Sequence, residues 1–102
     1  MKIVSNEEFK QITKEGVTLV DFFATWCGPC RMMGGIFEEI SKDLQGKANL
    51  IKVDVDEEES LARQFGIMSI PTLLIFKDGE AMEKHIGVWG KDDCINAVKK
   101  YL

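Results

Sequence analysis

Short apolar runs alternate along the chain with longer segments in which apolar residues recur every three or four positions. Residues 17–24 (VTLVDFFA) form a long apolar run, and their β-branched and aromatic side chains predict a buried strand. The apolar residues that follow have helical spacing and predict a helix over 29–44; they are Met32, Met33, Ile36, Phe37, Ile40 and Leu44. A buried strand is therefore expected to lead directly into a long amphipathic helix.

The rest of the chain continues this alternation of strand and helix patterns. Ser5 and Glu8 form a capping box that opens a first helix, and Asp78-Gly79 is the signal of a tight hairpin turn within 77–80. Further strands are predicted at 2–4, 50–55, 73–76 and 81–88. Further helices are predicted from the capping box to about residue 14, at 57–65 and at 91–102. This order predicts an α/β fold, with a mixed sheet covered by helices on both faces.

Composition and charge narrow the class of protein. The chain has 102 residues, enough for one domain spanning 1–102 but too few for two hydrophobic cores. Its 45% hydrophobic and 29% charged residues are ordinary for a soluble globular protein. The net charge of −4 argues against binding to nucleic acid or to an anionic membrane. Because no apolar stretch is as long as a membrane span or a signal-peptide core, we expect a cytoplasmic location, where thiols stay reduced.

Two cysteines lie at the predicted junction of strand and helix, in the stretch Trp26-Cys27-Gly28-Pro29-Cys30. Pro29 suits the first turn of a helix, because its missing N–H would be unpaired there in any case. The free N–H groups and the dipole of a helix N-terminus favour negative charge. A thiolate is stabilised in such a position, so that the cysteine becomes a nucleophile.

The spacing of Cys27 and Cys30 allows three interpretations. A structural disulfide would close so short a loop that it would remove little entropy from the unfolded chain. A zinc site needs four ligands, and the remaining cysteine and the single histidine, Cys94 and His85, lack the spacing of a ligand pair. A redox dithiol is favoured, because a Cys-x-x-Cys pair within a strand–helix–strand pattern is typical of disulfide exchange.

The chain resembles the thioredoxin family over essentially its whole length. The resemblance rests on WCGPC after VDFFA, and on KVDVDE, FGIMSIPTLLIFKDG and Gly87 in register. It implies a thioredoxin fold, in which a central five-stranded mixed sheet is flanked by four helices. It also implies a protein-disulfide reductase that holds no bound cofactor and works through a redox-active disulfide between Cys27 and Cys30.

Roles for the two cysteines follow from their places in the predicted helix. Cys27 comes first and is the expected attacking thiolate, while Cys30 lies one turn further on the same face and can resolve the mixed disulfide. Cys30 must lose a proton to do so. Asp21, within an apolar strand, is the candidate proton acceptor and resembles the family's buried acid, and Lys52 resembles that acid's partner. The alternatives are an exposed Asp21 and a surface Lys52.

The resemblance also implies a substrate-binding rim around the cysteines. Ile70-Pro71 resembles the family's cis-proline segment, whose backbone pairs with an extended substrate, although a plain proline at the start of a strand is the alternative. The other expected rim positions are Trp26, Gly28, Pro29, Gly87 and Val88. Trp89 either widens this surface or packs on the terminal helix.

The resemblance also implies partners for this chain, and it bears on two alternative functions. The expected electron donor is a thioredoxin reductase, linked to NADPH or to ferredoxin, and the expected targets of this monomer are disulfide-containing proteins. One alternative is a binding module in which the dithiol is incidental. Another is a disulfide oxidant or isomerase, but Gly28-Pro29 between the cysteines resembles the reducing branch of the family instead.

Departures from the family pattern include a glycine pair and a third cysteine. Gly34-Gly35 lies inside the long helix, where many members have proline at the second position, and two glycines weaken a helix interior by about 2 kcal/mol relative to alanine. Cys94 stands at a usually apolar position on the inner face of the last helix. We expect it to be a small buried hydrophobe, with a regulatory thiol as the alternative.

Overall fold

The structure, a computed structural model, describes residues 2–102. Its strands are Lys2–Ile3 (β1), Val17–Phe23 (β2), Asn49–Asp54 (β3), Thr72–Lys77 (β4) and Glu80–Ile86 (β5). Its helices are Asn6–Thr13 (α1), Gly28–Asp43 (α2), Glu59–Gln64 (α3) and Lys91–Lys99 (α4). Every element predicted from the sequence is present, and the predicted capping box between Ser5 and Glu8 opens α1. No helix within the described part of the chain is long and apolar enough to cross a membrane.

The strands form one mixed sheet in the order β1-β3-β2-β4-β5. The first three strands in this order run parallel, whereas β4 is antiparallel to β2 and β5 is antiparallel to β4. Because β2 lies in the centre and both of its faces are covered, all seven of its residues are buried. The arrangement confirms the predicted α/β class, and it points the end of β2 at the start of α2.

Alternation along β2 divides the hydrophobic core into two layers. Val17 and Leu19 pack with residues of α2 and α4 on one face, while Val20 and Phe22 pack with residues of α1 and α3 on the other. Asp21 has the same parity as Leu19, so its carboxylate lies on the face that α2 and α4 cover. The acid predicted at the site is thus inside the core rather than at its edge.

Two predicted helix boundaries were wrong by two or more residues, and local hydrogen bonds explain both. The third helix was predicted from 57 but begins at Glu59, because the Asp56 N–H bonds to Asp54 Oδ1 at 2.9 Å and holds a turn before it. The last helix was predicted to reach 102 but ends at Lys99. Beyond it, the Tyr101 N–H bonds to the carbonyl three residues earlier, which tightens the chain out of the α-helical pattern.

The last strand is bounded by two turns that need left-handed backbone. Asp78 and Gly79 have φ values of 49° and 88°, as a two-residue hairpin turn requires, and this confirms the Asp-Gly signal. At the other end β5 stops at Ile86, two residues before its predicted end, because Gly87 has a φ of +92° and turns the chain out of the sheet. Gly87 and the residue after it therefore belong to a loop.

Candidate redox site

Cys27 and Cys30 are joined by a disulfide at the start of α2. Cys27 is the N-cap residue of this helix, and its Sγ accepts the Cys30 N–H at 3.2 Å. A thiolate at Cys27 would accept the same N–H and would lie at the positive end of the helix dipole. Pro29 occupies the first turn, as its fixed φ predicts. The local sequence therefore builds a position that favours a sulfur anion at Cys27.

Asp21 is completely buried behind this helix start. Phe23, two residues further along the same face of β2, belongs to one buried cluster with both cysteines, so Asp21 lies on the core side of that cluster. Neither carboxylate oxygen has a hydrogen-bond partner among residues 2–102. Burial raises the pKa of Asp21 from 3.8 to about 6, although the charge of Lys52 partly opposes this shift. The carboxyl group can therefore take up and release a proton near neutral pH.

Lys52 lies directly opposite Asp21 in the register of β2 and β3. Its side chain is half-buried, and its ammonium group lies over the ring of Phe23, 4.3 Å from the ring centroid. A Cβ atom on Gly34 of α2 would lie 3.6 Å from the same ammonium. Lys52 is thus held between the sheet and α2, where it acts on Asp21 through charge.

The Ile70-Pro71 bond is cis, as the resemblance implied. The carbonyl oxygen of Ile70 lies 3.9 Å from the Sγ of Cys27, so this segment faces the disulfide. The Gly87 N–H donates to the carbonyl of Pro71 at 2.8 Å, which joins the loop after β5 to the same surface. Residues that are far apart in the chain are therefore brought together around Cys27.

The helix start also presents an exposed rim. Trp26 is 68% exposed, and Gly28 and Pro29 are exposed beside it. The Trp26 Nε1–H donates to Asp56 Oδ2 at 2.8 Å, which fixes the indole against the turn before α3. Sequence reasoning missed Asp56, because an acid in an exposed acidic stretch gives no sign that it meets an indole thirty residues away.

Trp89 and Cys94 are both core residues. Trp89 is 7% exposed and packs in the layer that α2 and α4 form, so it lies beneath the rim and does not widen it. Cys94 is completely buried, as its helical spacing predicts. Burial, together with the charges of Glu83 and Asp21, raises the pKa of the Cys94 thiol from 9.0 to about 12. This thiol stays protonated and unreactive at neutral pH.

The zinc interpretation finds no further ligands in the structure. Between residues 2 and 102, no group of three or more histidine, cysteine, aspartate or glutamate side chains is placed to hold a metal ion. The cysteine pair at bonding distance instead carries its own redox chemistry, because a dithiol and a disulfide interconvert by thiolate exchange. Fold and site together define a thiol–disulfide oxidoreductase.

Comparisons with known proteins agree with this class. The thioredoxin family model matches residues 1–100. The chain is 48% identical to the thioredoxin of Staphylococcus saprophyticus over 99 residues, which are 97% of this chain and 95% of that protein. It is 46% identical to the thioredoxin of Staphylococcus haemolyticus over the same shares of both chains.

Solved structures give the same result. Thioredoxin from Plasmodium falciparum superposes with a TM-score of 0.90 at 36% identity, with 100% of both chains covered. Thioredoxin from Malassezia sympodialis also gives a TM-score of 0.90 at 36% identity, with 99% of this chain and 90% of that one covered. The chain belongs to the thioredoxin family. It has the thioredoxin fold, and its redox disulfide supports the reduction of protein disulfides.

Proposed function

We propose that the chain is a general reductant of disulfides in cytoplasmic proteins, acting as a single-domain monomer through Cys27 and Cys30. The observation that carries this proposal is the contact at the start of α2, where Cys27 Sγ accepts the Cys30 N–H at 3.2 Å. A sulfur anion is favoured at that position, so the reduced form has a ready nucleophile. A binding module would not need this arrangement, and no observation favours one.

In the first step the Cys27 thiolate attacks one sulfur of a target disulfide. A new bond forms between Cys27 and that sulfur, the target's own S–S bond breaks, and the released target thiolate takes a proton from water. Cys27 is the attacking group because it caps the helix, whereas Cys30 lies inside the first turn. The product is a mixed disulfide between the two proteins.

In the second step Cys30 resolves the mixed disulfide. Its thiol passes a proton to Asp21, and the Cys30 thiolate attacks the Cys27 sulfur and displaces the second target sulfur as a thiolate. That thiolate takes a proton from water, and Asp21 later releases its proton to solvent. Two electrons have then moved from the dithiol to the target, and Cys27–Cys30 is a disulfide again. Asp21 suits the role of proton acceptor because burial raises its pKa to about 6, close to the working pH. Lys52 is the charge partner that keeps this pKa from rising further.

Targets would dock on the rim around Cys27. We expect the backbone of Ile70, beside Pro71, to pair with an extended segment of the target. The 3.9 Å distance between its carbonyl oxygen and Cys27 Sγ supports this expectation. Apolar or small surface completes the rim; it comes from Trp26, Gly28, Pro29, Gly87 and Val88. Neither nucleic acid nor membrane is a proposed partner.

The oxidised protein must be returned to the dithiol by an electron donor. We propose a thioredoxin reductase, which supplies two electrons from NADPH or from reduced ferredoxin, and no cofactor bound to this chain. Support comes from the family match and from the Cys27–Cys30 disulfide, a redox group that belongs to the chain itself. The reducing environment of the cytoplasm is consistent with a protein whose resting form is the dithiol.

The test is coupled turnover with a protein substrate. Insulin reduction is followed through NADPH consumption, or through the oxidation of reduced ferredoxin, in the presence of the matching reductase. We expect turnover by the wild type and by Cys94→Ala, and none by Cys27→Ser. Turnover that survives in Cys27→Ser would contradict the proposed function. So would a wild type that fails to reduce insulin with either donor.

A further inference from the structure

The loop after β5 is held by contacts from three separate parts of the chain. We call residues 87–89 the rim loop. The Gly87 N–H donates to the Pro71 carbonyl at 2.8 Å, and the Trp89 N–H donates to the Sδ of Met33 at 3.2 Å. Met33 lies one turn beyond Cys30 in α2. The loop is therefore tied to the cis-proline segment on one side and to the redox helix on the other.

His85 supplies the third set of contacts to the rim loop. Its Nε2–H donates to the carbonyl of Val88 at 3.2 Å. Its ring also stacks on the indole of Trp89, with centroids 4.5 Å apart and planes within 6° of parallel. The His85 side chain thus contacts the rim loop twice, through the main chain of Val88 and through the ring of Trp89.

We propose that His85 is a positioning residue for substrate docking, which fixes the rim loop against the redox helix. The proposal rests on the proposed function, in which Gly87 and Val88 form part of the docking rim. Val88 is only half-buried and can contact a target, whereas its carbonyl oxygen is already bonded to His85. His85 touches neither cysteine in this account and takes no part in the exchange of sulfur bonds.

The two contacts of His85 make distinct contributions. The hydrogen bond fixes the orientation of the Val88 peptide, and the ring stack keeps Trp89 seated in the core, where its N–H meets Met33. Without them, the rim loop would hold its bound geometry for only part of the time, and docking would lose affinity by that fraction. Attack by Cys27 on a bound or very small disulfide would not change.

The test uses three variants at His85. His85→Ala removes both contacts, His85→Phe keeps the stack without the hydrogen bond, and His85→Gln keeps an N–H donor without the stack. Met82→Ala is the control, since this exposed residue lies in the same strand, three positions earlier. Each pre-reduced variant is mixed with excess insulin or with the small disulfide dithiobis(nitrobenzoate), and the oxidation of Cys27 and Cys30 is followed in a single turnover.

We expect His85→Ala to raise the half-saturating insulin concentration about tenfold, and each partial variant to raise it about threefold to fivefold. The maximal rate with insulin and the rate with the small disulfide should stay at the wild-type level, and Met82→Ala should match the wild type throughout.

Two results would overturn the proposal. One is a half-saturating concentration that does not change in His85→Ala. The other is an equal loss with both substrates that follows the free energy of unfolding, which would mean a purely structural residue. If His85→Ala does not fold, the Phe and Gln variants decide the matter. A wild type that reduces neither substrate would instead refute the proposed function.

Discussion

Asp21 and Lys52 lie side by side on two neighbouring strands of the sheet, yet they do not form an ion pair. The two residues are register partners in β2 and β3, but the Lys52 ammonium lies over the Phe23 ring, 4.3 Å from its centroid. Both Asp21 oxygens are left without a hydrogen-bond partner in the described chain. A buried carboxylate without hydrogen bonds is costly to ionise, and this cost raises the pKa of Asp21 to about 6.

The first prediction concerns the stability of the oxidised protein as pH changes. The pKa of Asp21 is about 6 in the folded chain and 3.8 in the unfolded reference, so the folded state binds this proton more tightly. The folded state is therefore favoured at low pH, and this contribution is lost as the pH rises from about 4 to 6. Two pK units correspond to about 3 kcal/mol. We expect Asp21→Asn to be more stable than the wild type at pH 7, by an amount of this order.

Denaturant unfolding at several pH values measures this effect. The difference between wild type and Asp21→Asn should be largest near pH 7 and should shrink toward pH 4, because the other carboxyl groups are common to both proteins. A difference that is constant with pH would show that Asp21 does not titrate in this range.

The second prediction concerns Lys52. Its positive charge lowers the pKa of Asp21 against the effect of burial. Lys52→Met keeps the length and apolar stem of the side chain but removes the charge, so the pKa of Asp21 should rise above about 6. The pH at which resolution by Cys30 becomes fast should rise with it.

Carbon NMR titration of the Asp21 carboxyl measures the shift directly. Lys47→Met, at an exposed position, is the control, and an equal Asp21 titration in all three proteins would contradict a role for Lys52.

The third prediction concerns Cys94. Its thiol is completely buried with a pKa raised to about 12, so iodoacetamide should not label it in the native oxidised protein. Cys94→Ala should leave the rate of disulfide reduction unchanged and cost about 1 kcal/mol through a small cavity. Mass spectrometry after timed alkylation is the measurement. Rapid native labelling would favour the regulatory alternative.

The fourth prediction concerns the paired glycines of α2. Gly35 is exposed, and a Cβ atom there would meet nothing within 4 Å. Gly35→Ala should therefore raise the free energy of unfolding by up to about 1 kcal/mol, the difference in helix propensity. Gly87→Ala is the opposite case, because its φ of +92° strains any side chain. Denaturant unfolding of both variants should show changes of opposite sign, and a destabilised Gly35→Ala would mean that the helix needs a glycine there.

Most of the fold, and the redox role of the cysteine pair, could be predicted from local sequence patterns. Periodicity predicted the central strand and the long helix, because each has one consistent pattern, while the capping box and the Asp-Gly turn signal located the first helix and the hairpin. Helix ends were less certain, since the start of α3 depends on the Asp54–Asp56 turn, which propensity does not report. Cys27 was placed at a helix start from Pro29 and the strand before it, and the structure has it as the N-cap.

Contacts between distant segments could not be read in the same way. Nothing in the local pattern around His85, Trp89 or Met33 shows that they meet, because their contacts depend on how β5 and α2 pack. The position of Lys52 over Phe23 likewise depends on how the neighbouring strands β2 and β3 pack. The cis bond before Pro71 was expected from the family resemblance, because the residues alone favour the trans form.

The order of attack is the central claim, and trapping the mixed disulfide tests it most directly. Each reduced single variant is mixed with oxidised insulin, and the products are separated without reducing agent and identified by mass spectrometry. Cys30→Ser should accumulate a disulfide between Cys27 and insulin, because the attacking thiol remains and the resolving thiol is gone. Cys27→Ser should accumulate none. A stable adduct through Cys30 in Cys27→Ser, or normal turnover by Cys30→Ser, would contradict the assignment.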